Sequence, residues 1–494
     1  MLRIPVSLAA VVAAGTLGCA CPTVDVSGAA NKSAKAFAGQ LAHSVTIDAM
    51  MGHLAALQAI ADANGGNRAF TTPGYQASVD YVIKALRSKG FDVFDPELDI
   101  KQAYAQKPNL TVGGTPVAAK ALDYTAGTPG INAPLVPVLA GKGQGCDSAD
   151  YDGLPITGAV ALVDRGTCSF AVKEAAAAAR GARALVVADN VDNVDRARGG
   201  TLGAKTAVQI PSVFITKADG ATLRANPGPV ALKLDAGVRI IHTRNVIAQT
   251  KTGSAHDVVM IGAHLDSVKA GPGINDDGSG VAAVLETALQ LGSSPSVHNA
   301  LRFAFWDAEE LGLVGSTTYV ESLDYDALKD IALYLNYDMI ASPNAGYFTY
   351  DGDQSTALAP GGTAPPMPEG SVGLERTLVE YLSSAGKQAQ DTKFDGRSDY
   401  EAFAKAGIPS GGLFSGDEEN MNEDQARLWG GTAGQPFAPH YHQASDTLAC
   451  INRTALEILG RGVAFSAGLY AQDLGGRNGM PIRQDRTRYV VPPS

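Results

Sequence analysis

The order of segments predicts an α/β protein, a β-sheet covered by helices on both faces and carrying an inserted β-rich module. Three observations predict it. From Asn245 onward, apolar strand-like runs alternate with runs of helical periodicity, the pattern of a sheet sandwiched between helices. Several of those strands, such as Val258-Val259-Met260-Ile261-Gly262, are apolar throughout, as strands in the middle of a sheet are. Between about 112 and 236 the alternation gives way to short β-rich runs punctuated by Gly and Pro, which marks a separate module.

Taken in order, the chain opens with Met-Leu-Arg, an apolar stretch Ile4–Leu17 and the small-residue cluster Gly18-Cys19-Ala20-Cys21. One positive charge, a short apolar core and small residues at its end describe a secretory signal over 1–21, and the stretch falls short of the ~20 residues that span a bilayer. Its end has two readings. Cleavage near Ala20 leaves a soluble product. Lipid attachment at Cys19 or Cys21 leaves a membrane anchor, although Thr16 stands where a lipoprotein signal has Leu. Two cysteines at this spot have little structural use, which favours the anchor.

Residues 45–91 read as helical with short breaks, and 91–100 as a strand. The module over 112–236 holds the strand-like runs 159–163 and 184–187 and one Ala-rich helix, 171–180. Strands follow at 258–262, 301–306, 331–337 and 412–414, helices at 280–291 and 454–470, and a Pro/Gly-rich surface loop at 355–370. Residues 476–494 are a tail. Of the three remaining cysteines, Cys146 and Cys168 can bridge within the module in an oxidising compartment, leaving Cys450 unpaired and buried. Their spacing is not that of a zinc–thiolate cluster.

With 39 Lys+Arg against 50 Asp+Glu, the net charge of −11 gives no basic footprint for nucleic acid. A hydrophobic share of 45% excludes a disordered or fibrous chain. The length of 494 residues suggests about two to four domains.

The chemistry sits at strand ends. In open α/β sheets ligands gather outside the carboxyl ends of strands, and candidate ligands follow three apolar strands here: His264 and Asp266, then Asp307 to Glu310, then Asp338. Asp266, two residues after His264, can approach its imidazole and hold the tautomer of a metal-bound histidine. The Gly-rich turn 273–280 offers Asp276 as a metal bridge, whereas Asp277 is better placed to cap the following helix. Glu309 and Glu310 are adjacent carboxylates that a nearby cation would make compatible, one binding it and the other acting on water as a general base. His440-Tyr441-His442 adds imidazoles and a phenol. Each motif alone has an ordinary explanation: a core histidine, a helix cap, a solvated acidic face. Together they supply nitrogen and oxygen ligands for two open-site zinc ions, a pair such as aminopeptidases and phosphatases use.

Two resemblances follow from these residues. Leu162-Val163-Asp164-Arg165-Gly166-Thr167-Cys168-Ser169-Phe170 with Lys173 and Gly181-Ala182 resembles the protease-associated domain, a module inserted in many exported peptidases and free of catalytic residues. His264–Val268, Gly271–Gly280, Trp306–Gly312, Asn336–Met339, Gly396–Tyr400 and Tyr441–Gln443 resemble the exported bacterial di-zinc aminopeptidases of the leucyl type. The resemblance implies a zinc-exopeptidase fold, a mixed central sheet with helices on both faces, formed by 36–111 and 237–475 around the inserted domain 112–236. It implies two Zn²⁺ per chain. Asp276 bridges them, His264 shares one with Asp338, and Glu310 shares the other with His442. Glu309 falls on the general base, Asp266 on the residue orienting His264, and Tyr441 on the donor to the tetrahedral intermediate. Arg397 and Phe414 line the substrate cleft. Relatives often bracket the last histidine with a small disulfide, but His440 and Ser445 hold those places here, which leaves the bracing of that loop open.

The expected activity is hydrolysis of peptides at a free, hydrophobic (Leu-type) N-terminus by an exported protein, with no nucleic-acid partner and membrane contact only through an N-terminal lipid. The alternatives are a carboxypeptidase on the same scaffold, which needs cationic residues on the terminal carboxylate where no Arg cluster beyond Arg397 is evident, a glutaminyl cyclase on that scaffold, which would not need hydrolytic activity, and a non-catalytic binding protein, against which stands the full set of ligand positions.

Overall fold

The computed structural model describes residues 26–138, 144–191, 199–356, 367–475 and 479–491. The expected signal over 1–21, with Cys19 and Cys21, lies outside them, as does most of the Pro/Gly-rich loop. No helix among the described residues is long and apolar enough to cross a membrane.

Eight strands build the central sheet: β1 (Asp92–Phe94), β2 (Val246–Gln249), β3 (Ser254–His264), β4 (Asn299–Trp306), β5 (Ile331–Tyr337), β6 (Phe348–Tyr350), β7 (Gln390–Thr392) and β8 (Ser410–Phe414). Their spatial order is β1-β2-β4-β3-β5-β8-β6-β7. The middle four run parallel, β4 beside β3, β3 beside β5 and β5 beside β8, while β2 and β6 join them antiparallel, so the sheet is mixed.

Both faces are covered, and period-two alternation decides which side chain goes where. On one face Val259, Ile261, Phe303 and Leu335 pack with Leu54, Val79, Val284 and Leu459 from the helices Ile47–Ala63, Pro73–Ser88, Gly278–Leu291 and Arg453–Gln472. On the other, Met260, Ala304, Trp306 and Tyr334 meet Val320, Leu328 and Phe403 from Val314–Glu321, Tyr325–Asp330 and Tyr400–Lys405. Filling both faces with apolar side chains is what makes these strands read as unbroken apolar runs.

The strand expected over 91–100 is two strands. Asp92–Phe94 joins the edge of the central sheet, and Glu97–Ala105 leaves to pair with Ala236–Arg244 in a two-stranded ribbon. Pro96 stands between them, and a residue without a backbone N–H cannot continue a ladder. The ribbon leads to a second sheet, strands from Asn109–Val112 to Pro229–Leu234, with apolar clusters of its own around Val160, Val186 and Leu232, and around Leu185, Phe214 and Tyr151.

Cys146 and Cys168 are disulfide-bonded across 22 residues of that module. Closing a loop of this length contributes about 3 kcal/mol on the chain-entropy account. The double variant C146S/C168S is expected to lower the unfolding midpoint of the module, measured by calorimetry. Cys450 is free, as expected, but half-buried rather than buried. It ends the short turn Leu448–Cys450 at the carboxyl edge of the sheet, and its thiol donates to the Ser445 carbonyl at 3.0 Å. The described part of the tail is packed: the buried Arg486 donates to the carbonyls of Lys329 and His256, and the buried Arg488 to that of Ile331.

Candidate metal centre

The ends of β3, β4 and β5 and the loops that follow them converge at one point. β3 delivers His264, 1% exposed, as its last residue. Next comes the turn carrying Asp276, whose peptide bond to Asp277 is cis. Asp277 caps the helix Gly278–Leu291, accepting from Gly280 N, and also takes the Met339 N–H. A Cβ at Gly280 would collide with the Tyr337 carbonyl, so glycine is what lets this helix start hard against β5.

Asp276 faces both imidazoles. Its Oδ1 lies 3.1 Å from His264 Nε2 and its Oδ2 3.2 Å from His442 Nε2. Asp338 Oδ1 is 3.5 Å from His264 Nε2, and Glu310 Oε2 is 3.0 Å from His442 Nε2. Two triads result, His264–Asp276–Asp338 and Asp276–Glu310–His442, each with its donor atoms within 4.8 Å of one another and with Asp276 common to both. Glu309 reaches the same point, its Oε2 3.9 Å from His264 Nε2.

The donor set fits two cations. Glu310 Oε1 and Asp338 Oδ1 are buried oxygens without a hydrogen bond, one in each triad. Buried polar atoms rarely go unpaired, and an ion among each set of donors would satisfy both. Imidazole nitrogens and carboxylates without thiolate suit zinc in an open site.

Electrostatics point the same way. Burial raises Asp276, but the hydrogen bonds to His264 and His442 outweigh it and hold its carboxyl below the usual range. Burial lowers His442, yet the hydrogen bonds to Asp276 and Glu310 carry it up to about 10. Glu309 is pushed well up by burial, with the neighbouring Asp338, Asp399 and Glu310 carboxylates adding to it, and Glu310 rises to about 7 through burial and Asp276. So many carboxylates crowd together that they compete for protons, a conflict that cations would resolve.

Asp266 serves the glutamates more than the histidine. Its carboxylate accepts the backbone N–H groups of Glu309 at 3.1 Å and Glu310 at 3.4 Å. It lies 3.6 Å from His264 Nδ1, which is nearer the Asp266 carbonyl oxygen at 3.1 Å. β3 ends at His264, so the strand rule that would aim both side chains alike stops applying there.

Tyr441 stacks on His442, ring centroids 3.8 Å apart, and its hydroxyl accepts from Arg397 Nη2 at 3.3 Å. Arg397 is itself held by Asp417 at 3.0 Å and Glu418 at 3.1 Å. His440 Nδ1 and Ser445 Oγ, the two places where the resemblance leads one to look for a disulfide, are hydrogen-bonded at 2.8 Å. Asp276, Glu309, Asp338, Arg397, Phe414, Tyr441 and His442 line one cavity of about 290 Å³, with Phe348, Tyr350 and Phe437 completing an apolar wall.

Several supporting residues escaped the sequence reading. The buried Arg68 donates to the carbonyls of Leu265, Pro272 and Gly273, bracing the loop between His264 and Asp276. Asp446 accepts the N–H groups of Asn275 and Asp276, tying the His442 loop to the turn that carries Asp276. Ser398 donates to Asp338 Oδ2 at 2.6 Å and accepts from Asn336. Arg68 sits in a loop between helices with no motif around it; Asp446 lies within the very stretch that carries His442, its proximity the one available signal.

Residues 245–467 match the model of peptidase family M28, and residues 131–223 match that of the PA domain. The "Probable lipoprotein aminopeptidase LpqL" of Mycobacterium tuberculosis is 60% identical over 494 residues, covering 99% of this chain and 98% of the relative. The chain belongs to peptidase family M28. An aminopeptidase of Pseudomonas aeruginosa is 41% identical to this M28 peptidase over 83% of the chain and 78% of its own length. Among solved structures, the aminopeptidase from Aneurinibacillus sp. strain AM-1 superposes with a TM-score of 0.64 at 28% identity, covering 87% of this chain and 95% of its own. The Bacillus subtilis zinc aminopeptidase BSAP superposes with a TM-score of 0.58 at 25% identity, covering 88% and 98%. The mixed sheet with helices on both faces and an inserted PA domain is thus the M28 fold the motifs implied.

Proposed function

We propose that this M28 peptidase is an exported zinc aminopeptidase that removes hydrophobic, Leu-type residues from the free N-termini of peptides. The single observation that carries the reading is the pair of donor triads sharing Asp276 with Glu309 beside them. Two zinc ions, one with His264 and Asp338, the other with Glu310 and His442, and Asp276 common to both, would lower the pKa of water and polarise the scissile carbonyl.

Glu309 takes the proton of the attacking water as its oxygen adds to the carbonyl carbon, then hands that proton to the amine as the C–N bond breaks. Tyr441 donates to the oxygen that gains charge. Because its hydroxyl oxygen accepts from Arg397, its own hydrogen is left to point at the substrate. The carboxylates of Glu309 and Asp338 hold the substrate's α-ammonium, and Phe348, Tyr350, Phe414 and Phe437 receive its first side chain. The export signal read over 1–21 and the lipoprotein relative support attachment through an N-terminal cysteine.

Leucine p-nitroanilide is expected to be cleaved and its N-acetyl form refused, while a dipeptide amide is cleaved and an N-blocked dipeptide with a free carboxylate is not. The reverse pattern would make the enzyme a carboxypeptidase. Y441F is expected to lower kcat by about 100-fold, the scale of one oxyanion donor, with zinc content unchanged. Dialysis against a chelator is expected to abolish turnover and lower Tm, since the two triads are left with mutually repelling carboxylates; zinc should restore both.

A further inference from the structure

A second set of carboxylates lies at the other edge of the sheet, on residues the hydrolytic reading does not use. β6 and β7 are parallel neighbours with Thr349 opposite Asp391, and the pairing runs one residue further, Asp351 N donating to Thr392 O at 2.9 Å. Thr349 and Asp351, two apart, therefore share a face of the sheet with Asp391. The helix Ser371–Ser384 lays Glu375 against the same place, where its Oε2 accepts the N–H groups of Gly352 at 2.9 Å and Asp353 at 3.1 Å.

Oxygens of Asp351, Glu375 and Asp391 lie within 4.8 Å of one another. Asp351 is 5% and Glu375 8% exposed, and among the described residues no Lys, Arg or His forms an ion pair with any of the three. Burial and the Asp353 and Asp391 carboxylates raise Glu375 to about 7 and burial raises Asp391, whereas hydrogen bonds from Thr356 and Ser355 outweigh burial and hold Asp351 below the usual carboxylate range. The independent observation is Thr349. It is fully buried on that face, and its Oγ1 has no hydrogen-bond partner. The carboxylates accept hydrogen bonds from Ser355, Thr356, Gly352 and Asp353, but the Thr349 hydroxyl on the same face of the sheet has none, and a cation held there would satisfy its oxygen.

We propose that Thr349, Asp351, Glu375 and Asp391 bind a hard divalent cation, calcium by the chemistry of the donors. All are oxygens, with neither nitrogen nor sulfur among them, which separates this set from the imidazole-containing triads and from zinc. Calcium accepts six to eight oxygens in flexible geometry, so waters complete its shell, whereas the stricter octahedron of magnesium fits a mixed strand-and-helix donor set less well. Asp391 and Thr356 also line the substrate cavity. The ion would pin residues 351–356 against β7 and so stiffen one wall of the cleft without touching the reacting atoms.

The test uses the full-length, zinc-loaded chain. Calorimetric titration with CaCl2 is expected to show one saturable event, weaker with MgCl2, and calcium should raise Tm by several degrees. Glu375→Gln should abolish the event while zinc content stays at the wild-type level. Thr349→Val, which removes the hydroxyl at nearly constant volume, should weaken calcium binding several-fold even if Glu375→Gln does not fold. Absence of a saturable event in the wild type, or an event of unchanged affinity in both variants, overturns the proposal. So does an event that appears only after zinc is stripped, because that places calcium at the catalytic triads.

Discussion

Glu309→Gln is expected to keep its zinc and lose its turnover. Glutamine has nearly the same shape, and the Glu309 backbone N–H that anchors this turn to Asp266 is untouched. A carboxamide cannot take a proton from water, and general-base catalysis is worth about 10²–10⁴ in rate. The measurement pairs kcat on leucine p-nitroanilide with zinc per chain by mass spectrometry. A fall of about 1,000-fold at unchanged zinc content supports the assignment. Turnover near that of the wild type removes Glu309 from the mechanism, and joint loss of metal and turnover makes it a ligand instead.

Asp276→Asn is expected to have the widest consequences of any single change. Asp276 is the one residue present in both triads, with one oxygen toward each imidazole. Asparagine keeps an oxygen for one side and turns an amide NH2 toward the other, a donor where a cation needs an acceptor. Zinc per chain should fall to one or below after dialysis, and activity should fall to background. Retention of two zinc ions would refute the sharing of Asp276. His264→Ala and His442→Ala should each remove one ion, so the three variants together separate a shared carboxylate from two independent sites.

The sequence exposed the parts of this site that sit where strands stop. β3, β4 and β5 are continuous apolar runs, and a polar residue just after such a run has nowhere to go but the carboxyl edge of the sheet; that reasoning reached His264, Glu309, Glu310 and Asp338. The glycines of the turn 273–280 already offered Asp276 as a candidate bridge, whereas the parts expected of Tyr441 and His442 came through resemblance, because a loop has no periodicity to read. Arg68 was illegible for a different reason. It acts on a partner far away in sequence, 197 residues separating it from Leu265, and no local pattern encodes such a meeting, just as the quoted Gly396–Tyr400 motif did not reveal that its Ser398 meets Asp338. The split at Pro96 was legible and misread, 91–100 being taken as one strand across the residue that forbids a continuous ladder.

The contact between His440 and Ser445 has a consequence for how the molecule meets thiols. The loop that carries Tyr441 and His442 is braced by a hydrogen bond, and the sole cystine among the described residues lies in the PA module, across the ribbon from the candidate metal centre. Dithiothreitol should therefore unfasten the accessory half first while the hydrolytic half goes on working, a division of redox sensitivity that a covalently bracketed loop would not allow.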